Sequence, residues 1–521
     1  MRNLCSVATV RRAEATAAVA EPVLMQRAAT ALAGMCGDLL RTDRGAVRGA
    51  RVVGLVGSGN NGGDALWALA FLAARGVRAT AVGDPDRMHA AGAEAARGAG
   101  VRLLDWTSPE VASTCAGADL VLDGIVGIGG SGGLREPSAG VVRGIHAAGV
   151  PIVAVDVPSG VDSDTGEVPG EAVRATATAC FGVGKPGLLL APGRDHAGLV
   201  TVMDIGLRPQ DLEPTAIALE LDDLAIPAPA PDAHKYRRGV VGVVAGSQSY
   251  PGAAVLAVGG ARRAGAGMVA FAPGSAGAGD SPGVTDPVAA LVSARYPDVV
   301  LAAGRPVDAR CVGPGLGSGP AATERVLTAC EDPTALVIDA SGLDVLATSA
   351  GRAALAARAE AGWLTVITPH AGEFARLGHE LIGGPLRSAQ RAAHQWGCVV
   401  VLKGPGTVVA APDGPGFVDT FGSSALATAG SGDVLAGLLA GLLAAAVRDA
   451  AVRDAAVRDA AVRDAGPEAT LTAADVALVA ARAVGLHGLA GRLAAARMTL
   501  PTAEDILEEL PAAHAAAASA G

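Results

Sequence analysis

The sequence predicts an α/β protein of two domains, each a parallel sheet covered by helices on both faces. Three observations carry the prediction. Short apolar runs alternate with helix-like segments along most of the chain, the pattern of strands joined by crossover helices. Glycine-rich stretches follow several of these runs, at the points where strands hand over to helices. A stretch with five prolines, residues 208 to 233, interrupts the alternation once, after which it restarts. Domains are therefore expected at 1–207 and 234–521, with 208–233 as a linker.

Taken in order, residues 9 to 40 read as one helix with an apolar stripe through Val23, Leu24, Ala28, Ala31 and Leu32. Residues 52–56 form an apolar run with a glycine loop behind it, and 64–74 read as helix. Further strands are expected at 80–82, 120–122, 152–155, 177–181 and 200–205. In the second half, strands are expected at 240–245, 336–338, 364–367, 399–402 and 407–411, with a helix near 253–264. Pro412-Asp413-Gly414-Pro415 reads as a hairpin turn. A long helix follows at 434–446.

Residues 446 to 465 are four tandem copies of Ala-Val-Arg-Asp-Ala. Five residues advance a helix by about 140°, so the valines spiral around it and form no single face. Asp449/Arg453, Asp454/Arg458 and Asp459/Arg463 stand at i,i+4 in the favourable order. The expectation is a solvated helical insertion in the second domain.

Composition excludes several classes. The chain is 50% hydrophobic and 18% charged, which argues against disorder, and its 72 glycines show no collagen period. Aromatic residues are 2%, so alanine, valine and leucine must fill the cores. The net charge of -10 and the lack of a basic stripe argue against nucleic acid or an anionic membrane as partner. The longest apolar run, 434–447, falls short of the ~20 residues that span a bilayer. Arg11, Arg12 and Glu14 interrupt the place of a signal peptide's apolar core. Seven cysteines are scattered without a C-x-x-C pair, so neither a disulfide framework nor a zinc site is indicated. A cytoplasmic protein is expected. Of 41 basic residues only Lys185, Lys235 and Lys403 are lysine. Where arginine serves as the general cation, a retained lysine points to a need for a compact ammonium.

In the first domain, Gly57-Ser58-Gly59-Asn60-Asn61-Gly62-Gly63-Asp64 follows a strand and opens a helix. Glycines there let backbone N–H groups approach a phosphate. Two more loops follow strands, one at 123–133 and one at 156–166. In a parallel sheet the ligand crevice lies at these strand ends. Asn61, Asp123 and Ser159 suit the oxygen ligation of a hard cation, and Asp156 suits proton exchange with a substrate. Each aspartate equally suits the capping of a strand end.

These loops, with Phe181-Gly182-Val183-Gly184-Lys185-Pro186-Gly187-Leu188, resemble the NAD(P)H-hydrate epimerase family over residues 9 to 207. Ala65 departs from the family's glycine. The resemblance implies a Rossmann-like three-layer domain with a bound potassium ion that interconverts the R and S forms of NADHX and NADPHX, nicotinamide cofactors damaged by hydration. It implies Asn61, Asp123 and Ser159 as potassium ligands. Substrate contacts are implied at Asn60, Asn61, Gly62, Gly63, Asp64, Gly127, Ile128, Gly129, Gly130, Ser131, Gly132, Gly133 and Asp156, with Asp156 also catalytic.

In the second domain, Ala429-Gly430-Ser431-Gly432-Asp433 precedes the long helix. Small residues at a helix start expose N–H donors as an anion hole, and Asp433 beside it suits a general base. It equally suits a plain acidic residue at a helix N-terminus. Lys403-Gly404-Pro405-Gly406-Thr407 joins two strands and suits phosphate contact. Pro369-His370-Ala371-Gly372-Glu373 and Gly313-Pro314-Gly315-Leu316-Gly317 are further loops.

With His234-Lys235-Tyr236-Arg237-Arg238-Gly239 and Tyr250-Pro251-Gly252-Ala253-Ala254, these resemble the NAD(P)H-hydrate dehydratase family, of ribokinase-like fold, over 234 to 513. The resemblance implies ADP as co-substrate, with Mg2+, in the loss of water from the S form. It implies Asp433 as the catalytic base in contact with substrate, further substrate contacts at Ala253, Gly317 and His370, and nucleotide contacts at Lys403, Gly404, Pro405, Gly406, Thr407 and Gly432. Three departures bear on those contacts: Ala371 for a proline, Ser341 for the second aspartate of Asp-Ala-Asp, and Ser423-Ser424-Ala425 for Asn-Pro-Gly. The implied partners are NADHX, NADPHX and further copies of the chain in a homo-oligomer. A small-molecule kinase with an accessory ligand-binding domain is the alternative reading.

Overall fold

A computed structural model describes residues 1–130, 132–228, 234–273, 286–301, 305–460 and 471–520, and of 452–460 the backbone only. Apart from Met1, the chain divides into compact units at 2–216 and 217–521.

The first unit holds seven parallel strands: β1 (Arg51–Val56), β2 (Arg78–Gly83), β3 (Arg102–Leu104), β4 (Leu120–Gly124), β5 (Ile152–Val155), β6 (Ala177–Phe181) and β7 (Leu199–Met203). Their order is β3-β2-β1-β4-β5-β6-β7. The two faces bury separate cores. Val52 and Val56 point to one, with helices Glu21–Arg44, Asn60–Ala74 and Ala90–Gly98. Val53 and Leu55 point to the other, with helices Val111–Ala116 and Ser138–Ala148. The strand order reverses between β1 and β4, which opens a crevice at the ends of those two strands.

Two expectations change here. The helix expected at 9–40 is two helices, Val7–Ala15 and Glu21–Arg44. Pro22 lacks an N–H and fits only a first turn, so a helix starts there and none runs through. The Asn-Asn-Gly-Gly-Asp stretch is itself the first turn of helix Asn60–Ala74.

The second unit contributes nine strands: β8 (Val240–Ala245), β9 (Met268–Pro273), β10 (Val300–Leu301), β11 (Ala309–Val312), β12 (Ala335–Ile338), β13 (Thr365–Ile367), β14 (Val399–Leu402), β15 (Val408–Ala410) and β16 (Gly416–Val418). They run β16-β15-β14-β13-β12-β11-β8-β9-β10. β8 to β14 pair in parallel, whereas β15 pairs antiparallel with β14 and with β16. The expected hairpin turn joins β15 to β16. The order reverses between β8 and β11.

The core of this unit includes Leu219 and Leu224, so the expected linker 208–233 is partly structural. Residues 229–233 lie outside the described residues, as do 461–465 of the repeat and Ser131. The repeat also differs from expectation at its start. Helix Ser431–Ala460 continues unbroken from the core, Ala450 is buried, and Val447 packs against the core. The first copy is therefore an internal turn of the helix.

Among the described residues two helical stretches are long and apolar enough to cross a membrane, Ser431–Ala451 and Ala473–Arg497. The apolar run had understated the first, which is 21 residues long at mean hydropathy 1.7. Both are mostly buried inside the unit, 67% and 61%. Helix Ser431–Ala460 lies directly on helix Pro251–Arg263. A Cβ at Gly437 or Gly260 would overlap the carbonyl oxygen of Ala257 or Val434, and one at Gly441 would overlap the Ala264 side chain.

Candidate functional site

The first unit's crevice is built on strand ends. Asp123 closes β4, and burial pushes its carboxyl up to about 6, against the hydrogen bonds that it accepts. Its Oδ2 accepts the Ser159 N–H at 2.7 Å, and its Oδ1 accepts the Ser159 hydroxyl at 2.6 Å. The Ser159 oxygen in turn accepts the Val126 N–H at 2.9 Å. Asn61 enters from the β1 side. A Cβ at Gly127 would stand 3.1 Å from the Asn61 side chain, so glycine here lets the amide lie close against that loop. The Asn61 Nδ2 is buried without a hydrogen-bond partner. The three residues expected to ligate a cation thus converge, and the orphaned amide and the oxygen donors fit one. The O and N ends of such an amide are assigned from their surroundings, and turned over it offers Oδ1 instead.

Asp156 follows β5 at φ 66°, in the left-handed region. Its Oδ1 accepts the Phe181 N–H at 2.9 Å and the Lys185 ammonium at 2.5 Å. Asp64 is buried nearby, and burial followed by the charges of Asp156 and Glu14 holds its carboxyl well above the usual range. Glu14, from helix Val7–Ala15, is also raised, by burial and then by Asp156. Sequence reasoning left Glu14 out. Lys185 was singled out as a rare lysine within a motif but given no role.

Other expected contacts are placed differently. Asn60 is turned to Glu21, its Nδ2 donating to Oε1 at 2.6 Å. A Cβ at Gly62 would overlap the Gly57 carbonyl, and one at Gly63 would touch Met25 and His89, so these two serve close packing. Ile128 is half-buried against Cys5, Val10 and Val183. Gly129 faces the Arg11 guanidinium. Gly127, Gly130, Gly132 and Gly133, with Arg135 and Ser138, line a cavity of about 280 Å³. Ala65 is buried against Gly124, within the core, so its methyl stays clear of the crevice.

In the second unit the site again gathers at the ends of parallel strands. Asp339, 1% exposed, follows β12 and accepts the Lys403 ammonium at 2.7 Å and the Thr368 hydroxyl at 2.6 Å. The Lys403 N–H donates to Pro369 O at 2.8 Å, which sets the lysine beside His370. The Glu373 carboxylate stands 3.8 Å from the ammonium. Burial lowers the ammonium's affinity for its proton, but Asp339 and Glu373 more than reverse this and hold it raised. A Cβ at Gly432 would stand 3.4 Å from Lys403 Nζ, so the helix start abuts the cation. Asp433 lies one residue on. Burial, then the charge of Asp339, push it up to about 7 despite Lys403.

Helix Ser431–Ala460 is pinned at its first residue. The Ser431 hydroxyl and His487 Nε2 are 3.1 Å apart and both residues are buried. Burial drives His487 down to about 4, so it is neutral. Thr368 and His487 were missed because neither belongs to a glycine loop.

His370 caps helix Ala371–Arg376, its Nδ1 accepting the Gly372 and Glu373 N–H groups at 3.0 and 3.3 Å. Ala371 occupies the first helical position, where the family's proline is at home. Ser341 accepts the Gly317 N–H at 3.1 Å, and so fixes the loop that the lost aspartate would face. Gly315 abuts Ala253. Ser423 caps the short 3-10 helix Ser424–Leu426. Gly404 and Pro405 are exposed, Gly406 has φ 76°, and Thr407 bonds back to Gly404. The His234 to Gly239 motif precedes β8 and lies at the opposite end of that strand from this rim.

Residues 21–187 match the family described as YjeF-related protein N-terminus, and residues 241–512 match NAD(P)H-hydrate dehydratase. A bifunctional NAD(P)H-hydrate repair enzyme of Mycobacterium leprae is 44% identical over 86% of this chain and 90% of its own. The Mycobacterium tuberculosis enzyme is 43% identical over the same shares. A solved ADP/ATP-dependent NAD(P)H-hydrate dehydratase from Bacillus subtilis is 25% identical over 56% of this chain and 94% of its own, at TM-score 0.40. The chain belongs to the bifunctional NAD(P)H-hydrate repair enzymes, which join an epimerase domain to a dehydratase domain in one polypeptide.

Proposed function

We propose that the first unit epimerises NADHX and NADPHX at the Asp123–Ser159–Asp156 crevice, and that the second dehydrates the S form at Asp433 with ADP as co-substrate. The observation that carries the reading is the pair of buried carboxyl sites at strand ends, one per unit, each organised around a lysine or a cation-fitting cage.

For the first unit, the hydroxyl of the hydrate sits on the carbon next to the ring nitrogen. Its C–O bond breaks with the electron pair leaving on oxygen, which takes up a proton. The nitrogen lone pair closes a C=N bond. Water then adds to the other face and gives up a proton, so atoms and charge balance. Asp156 accepts that proton, and Asp64, whose affinity for a proton is raised by burial and by the charges of Asp156 and Glu14, supplies the first. Asn61, Asp123 and Ser159 would hold potassium, which supplies a fixed positive charge for ligand oxygens when bound.

For the second unit, Asp433 takes the proton of the substrate hydroxyl as that oxygen attacks the terminal phosphorus of ADP, releasing AMP. Phosphate then leaves with the C–O electron pair, and loss of a ring proton restores NAD(P)H. Lys403 and the Gly430–Gly432 backbone face the phosphates. Asp339 is already bonded to Lys403 and Thr368, and Ser341 replaces a second carboxylate. These residues do not offer a protein-held magnesium pair, so Mg2+ arrives as the nucleotide complex. The test is incubation with mixed R and S NADHX, with and without ADP and potassium, followed by chiral chromatography. Persistence of R with potassium present, or of S with ADP present, removes the corresponding half.

A further inference from the structure

We propose that Lys185 is a positioning residue for epimerisation: its buried ammonium is the charge partner that fixes the Asp156 carboxylate, with one oxygen committed and the other free for substrate. The proposal rests on Asp156 as the proton acceptor of the first unit.

Lys185 is 1% exposed. Its Nζ donates to Asp156 Oδ1 at 2.5 Å and to Phe181 O at 2.9 Å, and contacts Cys180 Sγ at 3.6 Å. Three partners around one nitrogen match the three donors of an ammonium. A planar guanidinium would not reproduce that arrangement, and in a chain that uses arginine almost everywhere, lysine stands here. Burial works against the charged form, yet the Asp156 carboxylate beside it outweighs this and holds the ammonium's pKa raised.

Asp156 needs such a clamp. The left-handed backbone is unfavourable for an L residue. Its N–H donates to Ala179 O at 2.9 Å, and Oδ1 accepts from both Phe181 and Lys185. Oδ1 is thus taken up, and Oδ2 has no hydrogen bond among the described residues. The clamp ties the end of β5 to the segment that follows β6.

The charged and titratable groups around this pair come from four elements. Asp64 is on helix Asn60–Ala74, Glu14 on helix Val7–Ala15 and Cys180 on β6, while Cys5 faces Lys185 from the N-terminal segment. Asp156 and Glu14 therefore both feel the Lys185 charge, and Asp64 feels the charges of those two carboxyl groups. The ammonium is hydrogen-bonded to Asp156, while Asp64 and Glu14 are raised by burial and by the charge of Asp156. The result is a lysine-paired carboxyl group beside two whose affinity for a proton is raised, the contrast that R–S exchange uses.

The test is the pH profile of NADHX exchange by the full chain, without nucleotide and at saturating potassium, for wild type, Lys185→Met and Lys185→Arg. An opposite charge in contact with a carboxylate lowers its pKa by about 1–3 units. Lys185→Met should therefore lose about 10- to 1000-fold at acid pH and recover as pH rises, its midpoint displaced by about 1–3 units. A profile parallel to wild type, at whatever rate, overturns the proposal. In an Asp156→Asn background, Lys185→Met should cost nothing further, and an added tenfold loss would show that the lysine acts elsewhere. Should Lys185→Met not fold, Lys185→Arg decides: a lower rate with the wild-type midpoint supports the clamp, and a midpoint moved by more than one unit refutes it. A wild type that never exchanges R and S overturns the site reading itself, and the clamp with it.

Discussion

Asp433→Asn is expected to make the enzyme slower and the second unit more stable. Asparagine keeps the size of the side chain and removes the carboxylate that takes the substrate proton, so dehydration of S-NADHX should fall by at least ~10²-fold. The stability effect follows from where that carboxyl titrates. Folded, it is pushed up to about 7, while in the unfolded chain it ionises near the ordinary 3.8. The ionised form is thus disfavoured by folding. The penalty is full above about pH 7, shrinks as pH falls, and vanishes below about pH 4, where both states are protonated. A shift of about 3 units corresponds to about 4 kcal/mol at most, and partial exposure reduces this to about 1–3 kcal/mol. At pH 8 the variant should melt about 2–8 °C higher than wild type, with the difference gone at pH 4. Paired melting curves at both pH values and chiral chromatography with ADP settle the matter. A variant that clears S-NADHX within tenfold of wild type, or melts no higher at pH 8, would mean that Asp433 is only a helix cap.

The remaining expectations concern the first unit and the repeat. Asp123→Ala should abolish R–S exchange while ADP-driven loss of the S form persists; exchange that still responds to potassium would remove Asp123 from the cation site. The potassium concentration for half-maximal exchange should rise as pH drops below about 6, because protonation of the buried Asp123 competes with the cation; a half-saturation flat from pH 7 to 5 would refute that. Deleting Ala446 to Ala460 should leave both activities nearly unchanged, because the copies are identical and the remaining one takes the place of the first; a large fall in soluble yield or dehydration rate would show that later copies pack on something.

Much of the frame could be read from the chain. The runs at 152–155, 177–181, 240–245 and 399–402 are strands with the expected ends, because a strand buried on both faces must be apolar throughout. β11 escaped notice because Arg310 interrupts it, one guanidinium nitrogen donating to Asp332 Oδ2 at 2.7 Å. β9 and β10 fell outside any recognised run. At the sites, the loops announced where chemistry would gather, since glycine is required wherever backbones meet. The partners of the charged groups stayed hidden. Lys185 and Asp156 are 29 positions apart, and Lys403 and Asp339 are 64 apart. Only the sheet order, which no local pattern encodes, brings each pair together. For Asn60 the motif suggested ligand contact but not the hydrogen bond that its side chain donates to Glu21.

The contact between helices Pro251–Arg263 and Ser431–Ala460 has an evolutionary consequence. In most helix pairs a lost or gained methyl group is absorbed by neighbouring side chains that shift rotamer. Here Gly260 and Gly437 bring one main chain against the other, and no side-chain layer lies between them to relax. A substitution at either glycine has no nearby suppressor, because a peptide carbonyl cannot be exchanged for a smaller one. Ala253 lies in the first turn of one of these helices and Asp433 in the first turn of the other, so the spacing between the proposed substrate contact and the proposed base is set by backbone thickness. Substitution in the surrounding alanine-rich core can therefore be extensive while that spacing stays constant.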